Sequence, residues 1–248
     1  MSVVESLNKF KVTSLDELKS VSLMDRVDTK FAFEASKLNQ LLVELSQLYN
    51  VLEVNGSKIQ PYRSLYYDTP GRFFFLEHHN QRTNRNKVRF REYVESGLVF
   101  LEVKLKNNKG KTIKKRMQVD AIPDSLLLEH KNYIKSIVGQ DLNLTSQHWI
   151  NFNRLTFVDK LKTERVTIDL DLKFSNNVKS GSFDTVVIAE VKRERSRNSS
   201  KFSRLAKKLH ILPIRLSKYC MSTIDLNPDV KRNRFKEKLL LINKLKQL

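Results

Sequence analysis

The sequence predicts an α+β fold: an antiparallel barrel of about eight strands with a polar lumen, flanked by helices. Three observations point there. Runs of strict polar/apolar alternation are joined by short turns. The polar face of those runs is dominated by Arg and Lys rather than by a neutral mixture. Amphipathic helical segments are available to cover an outward apolar face.

The elements follow in order. Ser14 opens SLDE, a capping-box pattern with Glu17 three residues on, and predicts a short helix over 15–20. A strand is expected over 28–34. Ser36 then caps a helix whose Leu38, Leu41, Leu42, Leu45 and Leu48 recur at helical spacing. Strands follow at 62–68, 87–95, 98–106 and 111–120, the last three joined through Glu95-Ser96-Gly97 and Asn107-Asn108-Lys109-Gly110 into a meander. Pro123 precedes a helix over 124–138. Strands at 152–159, 164–172 and 184–193 lead to a helix over 199–210, a strand over 213–219 and a final helix over 234–247. No domain boundary is evident, so residues 1–248 read as one domain with a basic C-terminal helix from about 230 to 248. The polar stretch 194–201 reads as a loop. Leu101-Glu102-Val103-Lys104 echoes Ala189-Glu190-Val191-Lys192, too short a match to establish a repeat.

Composition narrows the class. The 248 residues are 40% apolar and 9% aromatic, which excludes a disordered chain. Six glycines and five prolines leave no low-complexity linker, and the single cysteine, Cys220, excludes an intrachain disulfide or a Cys-built zinc site. MSVVESLNKF lacks the apolar core of a signal peptide, and no apolar run is long enough to span a bilayer. The expected location is the cytoplasm, with the membrane periphery as the alternative. Lys and Arg number 46 against 27 acidic residues, a net charge of +19. Residues 231–248 hold seven basic residues against Glu237, so most of the excess belongs to the body of the chain. Such a surplus calls for an anionic partner: nucleic acid, phosphate compounds or an anionic membrane.

The alternation places these charges. Lys87, Arg89 and Arg91 share a strand face opposite Val88, Phe90 and Glu92. Glu102, Lys104 and Lys106 oppose Leu101, Val103 and Leu105. Arg165, Thr167, Asp169 and Asp171 oppose Val166, Ile168, Leu170 and Leu172, and Glu190 and Lys192 oppose Ala189, Val191 and Arg193. An ordinary sheet, solvated on its polar side, accounts for any one of these strands. Together they put like charges on neighbouring strands, which destabilises a sheet unless something neutralises them. An inward charged face around an anionic ligand meets that need. Arg suits phosphate oxygens with its planar fork, and Lys adds a point charge. Carboxylates in such a lumen gain a purpose if Mg²⁺ or Mn²⁺ sits between them and the phosphates. Glu190, Asp169, Asp171 and Glu102 are the candidates, and an ion pair with a neighbouring base is the alternative for each.

DRVDTKF at 25–31, SLYYDT at 64–69, KVRFRE at 87–92, LEVKLK at 101–106, RVTIDLD at 165–171, AEVK at 189–192 and LSKYC at 216–220 together resemble the vacuolar transporter chaperone (VTC) domain. That domain belongs to the triphosphate tunnel metalloenzyme superfamily. The resemblance spans about residues 22–226 and implies a closed antiparallel tunnel that binds ATP, triphosphate or polyphosphate with Mn²⁺ or Mg²⁺. It also implies synthesis of polyphosphate from ATP. Carried over by motif, Lys30, Arg89, Arg91, Lys104, Arg154, Ser217 and Lys218 are phosphate-binding, with Arg89, Arg91, Lys104, Arg154 and Lys218 acting in catalysis. Lys114 or Lys115 takes the following basic position, the adjacent pair leaving the choice open. Lys192 and Arg215 join the phosphate-binding set. Glu190 is the implied metal ligand, with Asp169 beside it and Asp171 and Glu102 as weaker candidates. Phe152 stands where the family often has Tyr, and Arg215 where Lys is typical. Any route for product across a membrane implies a separate membrane protein.

Other residues draw blander readings. His78 and His79 read as loop or surface histidines, Phe73, Phe74 and Phe75 as core, and Cys220 as a buried thiol. The C-terminal Leu/Ile stripe reads as packing, while its lysines stay open between solvent, anionic lipid and polyphosphate. Rival functions are a triphosphate or polyphosphate hydrolase in the same tunnel, a silent polyphosphate sensor, and a nucleic-acid binder. No helix-turn-helix, zinc-finger or RNA-recognition signature supports the last, so no specific nucleic acid is expected.

Overall fold

The structure, a computed structural model, describes residues 2–20, 26–109, 112–195 and 199–247. Asp25, the Gly110-Lys111 end of the expected hairpin and the centre of the 194–201 loop lie outside the described residues. Among the described residues eleven strands form one sheet: β1 (Val12–Thr13), β2 (Arg26–Glu34), β3 (Tyr49–Leu52), β4 (Gln60–Asp68), β5 (Arg85–Tyr93), β6 (Leu98–Lys106), β7 (Thr112–Val119), β8 (Thr145–Asp159), β9 (Glu164–Ser175), β10 (Ser180–Phe183) and β11 (Val186–Glu194). The helices are α1 (Val3–Leu7), α2 (Leu15–Ser20), α3 (Leu38–Ser46), α4 (Phe73–His79), α5 (Leu128–Val138), α6 (Lys201–Lys208), α7 (Lys218–Leu226) and α8 (Lys236–Lys246).

Eight strands form the main path, in the order β2-β11-β9-β8-β4-β5-β6-β7, antiparallel throughout. The expected count of eight therefore holds for this path. Three short strands add to it: β10 pairs β9, and a parallel β1–β3 pair joins the far end of β8. Among the described residues no backbone ladder joins β2 to β7. The outer edge of β2 instead meets the connection before α7, through a Phe31–Pro213 bridge and a 2.7 Å hydrogen bond from the Ile214 amide to the Lys30 carbonyl.

The sheet is inside out for most of its length. Phe31, Phe33, Val166, Ile168, Val187, Ala189 and Val191 face outward into a core closed by α1, α3 and α6. Leu65, Val88, Phe90, Leu101 and Val103 face outward beneath Ile134 of α5 and Phe74 of α4. A third apolar cluster lies on the inner side, where Ala32, Tyr66, Ile150, Phe152 and Ile188 meet Tyr219, Cys220, Met221 and Ile224 of α7. The lumen is therefore polar in only part of its length, and α7 fills the rest.

Most of the expected strand over 213–219 is the irregular connection that leads into α7, a helix the sequence did not predict. Pro213 makes a single bridge and offers no amide for a ladder. Ser217 then caps α7 by accepting from the Cys220 amide at 3.3 Å. Periodicity hid the helix because Tyr219 through Ile224 is buried on every side. Phe73 to Phe75 open α4, so His78 and His79 lie on a helix rather than a loop. The Asp68 carboxylate accepts from the Phe74 and Phe75 amides, both at 2.9 Å, and from the Tyr219 hydroxyl at 2.5 Å. One buried side chain thus joins the end of β4 to α4 and α7.

Phe90→Ala should lower the stability of the protein by about 3–5 kcal/mol, because it empties an outward core site with no solvent exposure. The urea midpoint should fall accordingly. Unchanged stability would mean that the apolar face of β5 is not the packed one.

Candidate functional site

The cross-strand register builds the charged layer. Lys30, Glu190, Thr167 and Thr156 stand opposite one another across β2, β11, β9 and β8. One step along, Asp169 faces Arg154. Across β4, β5, β6 and β7, Ser64 faces Arg91, Tyr66 faces Arg89, Arg89 faces Glu102, and Lys104 stands between Lys87 and Lys114. Strand alternation aims all of these at the lumen.

Three carboxylates organise the cations. Glu102 has no solvent exposure; its Oε2 accepts from Arg89 Nε at 2.9 Å and Nη2 at 2.6 Å, and its Oε1 pairs with Lys114. Asp169 accepts from Arg154 Nε at 2.6 Å and Nη2 at 2.8 Å, and from Lys218. Glu190 pairs with Lys192 and, at 3.6 Å, with Lys30, while Asp28 lies 3.7 Å from Lys192. Burial alone would raise all three carboxyls. Arg89, Arg91 and Lys114 hold Glu102 far below the usual range; Arg154 and Lys218 do so for Asp169, and Lys192 and Lys30 for Glu190.

The cations exceed these partners. Arg91 donates through Nε to Ser64 Oγ at 3.1 Å and holds no carboxylate among the described residues. Lys87 donates to Ser217 Oγ at 2.9 Å. Lys104 has no ion-pair or hydrogen-bond partner among the described residues. Arg89, then burial and Arg91, push the Lys104 ammonium well below the ordinary lysine range. Burial, with Arg89 and Arg91, outweighs the pull of Glu102 and brings Lys114 down to about 8.

Rings complete the layer. Tyr62 and Phe152 stack at 5.3 Å, and both Arg91 and Arg154 lie over this pair, 4.9–5.5 Å from the ring centres. Lys218 Nζ lies 5.0 Å from the Phe152 ring. Arg89 donates through Nη1 to the Tyr66 hydroxyl at 2.6 Å.

The expected residues divide. Lys30, Arg89, Arg91, Lys104, Lys114, Arg154, Lys192, Lys218, Glu102, Asp169 and Glu190 meet in the lumen, with Ser217 at the foot of α7. Lys115 faces away from Lys114 and is exposed. Arg215 is exposed on the connection before α7. Asp171 departs from the expected alternation: a bulge opposite Asn151–Asn153 puts it at φ 52°, exposed, accepting from Asn153 Nδ2 at 2.9 Å. The same bulge turns Leu172 inward. Sequence reasoning passed over Tyr62, Ser64 and Tyr66, although their alternation in β4 marks them as one face, and it passed over Thr167 and Tyr93 as site residues.

The oxygen donors of the lumen decide whether it can hold a divalent cation. No group of three or more His, Cys, Asp or Glu side chains able to hold a metal occurs among the described residues. Both Asp169 oxygens are taken by Arg154 and Lys218, and both Glu102 oxygens by Arg89 and Lys114. Glu190 is held only by lysines, and the buried Thr167 hydroxyl facing it across the ladder has no hydrogen-bond partner. One carboxylate with an adjacent orphan hydroxyl fits Mg²⁺ or Mn²⁺ that brings most of its oxygen ligands as phosphate and water.

The VTC domain family model matches residues 25–227. The chain belongs to the VTC domain family. No curated protein matches the chain. Similar solved structures include the PH1819 protein from Pyrococcus horikoshii OT3, 10% identical over 80% of this chain and 96% of that one, with a TM-score of 0.45. The PH1012 protein from the same organism is 11% identical over 78% and 99%, with a TM-score of 0.44. A putative adenylyl cyclase, HpAC1, from Hippeastrum, described as having a dominant triphosphatase activity, is 14% identical over 80% and 94%, with a TM-score of 0.49. These likenesses are low, and the architecture stands on the strand pairing itself. In this VTC domain Phe152 supplies a ring that backs two arginines and carries no hydroxyl.

The crowding sets a pH dependence. Lys114 sheds its proton near 8 in the folded state, against 10.5 for an ordinary lysine, and Lys104, Lys87, Lys192 and Lys218 shift the same way. Between those values the unfolded chain binds more protons, so stability rises with pH. The denaturation midpoint at low salt should therefore climb from about pH 7.5 to about pH 9. Saturating tripolyphosphate should flatten the slope. A midpoint that falls across this window in the ligand-free protein would contradict the crowding.

Proposed function

We propose that this VTC domain is a metal-dependent polyphosphate polymerase, which transfers the γ-phosphoryl group of ATP to a growing chain. The observation that carries the reading is the surplus of inward cations, above all Arg91 and Lys104, which hold no carboxylate in the lumen. A linear phosphate chain supplies the missing anions at close spacing.

Arg89, Arg91 and Arg154 would grip phosphate oxygens as planar donors, with their directions set by Glu102, Ser64 and Asp169. Their fixed aim lets them meet charge that spreads over the transferred group without rearrangement. Lys104, Lys114 and Lys218 would add point charges, and the depressed ammoniums of Lys104 and Lys114 recover full charge beside an anion. The terminal oxygen of the chain attacks the γ-phosphorus while the bond to the β-phosphate oxygen breaks and ADP leaves, so no side chain need act as a covalent nucleophile. Glu190 with Thr167 would hold Mg²⁺ or Mn²⁺, which neutralises phosphate charge and activates the transferred group. Removing Asp169 would free Arg154 and Lys218 together, which makes that carboxylate a positioning residue in this reading.

Protein incubated with ATP and Mn²⁺ or Mg²⁺ should yield long polyphosphate chains resolved by gel electrophoresis. Release of phosphate alone would assign a hydrolase to the same lumen. Glu190→Gln should reduce phosphoryl transfer about 100-fold or more, because an amide cannot replace the charged oxygen ligand. Metal-free tripolyphosphate should still bind to it, and tighter, since a repulsive charge is gone. Retained metal-dependent turnover with unchanged binding would make Glu190 a simple ion-pair partner.

A further inference from the structure

Lys104 stands apart from the other lumen lysines. Lys114 pairs with Glu102, Lys218 with Asp169, Lys192 and Lys30 with Glu190, and Lys87 donates to Ser217 Oγ. Lys104 has no such partner among the described residues. The ladder sets it directly between Lys87 of β5 and Lys114 of β7, and its own strand adds Lys106 on the same face. Arg89 and Arg91 also act on it. The neighbouring Glu102 cannot serve it, because both carboxylate oxygens are spent on Arg89 and Lys114. A lysine crowded by cations and drawn out of water gives up its proton readily and becomes a free amine. A free amine beside phosphate-gripping arginines is a nucleophile with a docking site next to it. Lys104 is only half-buried, so a small molecule can reach it.

We propose that Lys104 is a modification site for small acyl phosphates, which dock by their phosphate on Arg89 and Arg91 and acylate the Lys104 amine without a second enzyme. The inference rests on the reading of the lumen as a phosphate site, and not on transfer from ATP. An acyl phosphate joins the two features that this part of the lumen asks for: a phosphate end for planar guanidinium donors and a carbonyl carbon for an amine. The Lys104 nitrogen attacks the acyl carbon. The bond from that carbon to the bridging phosphate oxygen breaks, its electron pair stays with the oxygen, and inorganic phosphate leaves with the amine proton. The product is an amide that carries no charge. It removes one cation from the layer, so acylation lowers the affinity of the lumen for polyanions. Lys115 lies on the same strand pair but faces outward and is exposed, so it reports the reactivity of an ordinary lysine in the same molecule.

The full chain would be incubated with acetyl phosphate near neutral pH, and its acetylated lysines mapped over time by mass spectrometry. Each unit by which an ammonium pKa falls raises the neutral fraction about tenfold under these conditions, so Lys104 should be acetylated at least about tenfold faster than Lys115. Saturating tripolyphosphate should suppress acetylation at Lys104 and leave Lys115 unchanged. Phenyl acetate, an ester that carries no phosphate, should show a smaller preference for Lys104. Protein acetylated at Lys104 should bind tripolyphosphate more weakly than the parent in calorimetry. Equal rates at Lys104 and Lys115, or no protection by bound tripolyphosphate, would overturn the site. An undiminished preference with phenyl acetate would overturn docking through the phosphate. If tripolyphosphate fails to bind the parent protein, the reading of the lumen itself falls. If it binds and Lys104 stays unmodified, the acylation site alone falls.

Discussion

The structure depends on keeping many like charges close together in a partly buried space. At an effective dielectric constant of about 20, two such charges about 4 Å apart repel by about 4 kcal/mol. Three carboxylates make the arrangement tolerable. Glu102, Asp169 and Glu190 each clasp two cations, and each clasp ties different elements together: β5 and β7 through Glu102, β8 and α7 through Asp169, β2 to its neighbour through Glu190. The carboxylates act as built-in counter-ions. They hold arginines at fixed directions and still leave Arg91 and Lys104 unmatched. The fold is stable enough to form and remains short of negative charge, which is the condition of a receptor for a polyanion.

The inside-out sheet follows from the same constraint. With the polar face turned inward, Val88, Phe90, Leu101 and Val103 must be covered from outside, and α4 and α5 supply that cover, as α1, α3 and α6 do for Phe31, Val166 and Ala189. The one stretch of lumen that is apolar needs its own filler, and α7 provides it, with Lys218 and Ser217 at its first turn returned to the charged layer. The helix therefore does two things: it closes part of the lumen, and it delivers a lysine to Asp169. The Tyr219 hydrogen bond to the buried Asp68 anchors it to the end of β4.

Much of this was legible in the sequence where strands alternate without interruption. KVRFRE and LEVKLK declare their two faces, and the structure keeps Arg89, Arg91 and Glu102 on one side and Phe90 and Leu101 on the other. Legibility ended where a local event broke the period. Nothing in RVTIDLDL announces that Asp171 takes a left-handed conformation and leaves the face of Asp169. The segment 213–219 resembled a strand but is mostly an irregular connection, and α7 beyond it carries no period because it is buried all round. The pairing of each carboxylate with two particular cations depends on strand order, and the path that brings β7 to Glu102 and α7 to Asp169 is a property of the whole sheet.

The central claim is that lumen lysines are short of anions and regain their full charge when a phosphate chain arrives. Calorimetric titration with tripolyphosphate at about pH 8, in two buffers of different ionisation enthalpy, measures this as protons taken up per ligand bound. Because Lys114 lies near 8 and Lys104 well below its ordinary range in the free protein, net proton uptake is expected, vanishing as the pH is lowered to where both are already charged. Tight binding with no proton uptake at any pH in this range would contradict the account.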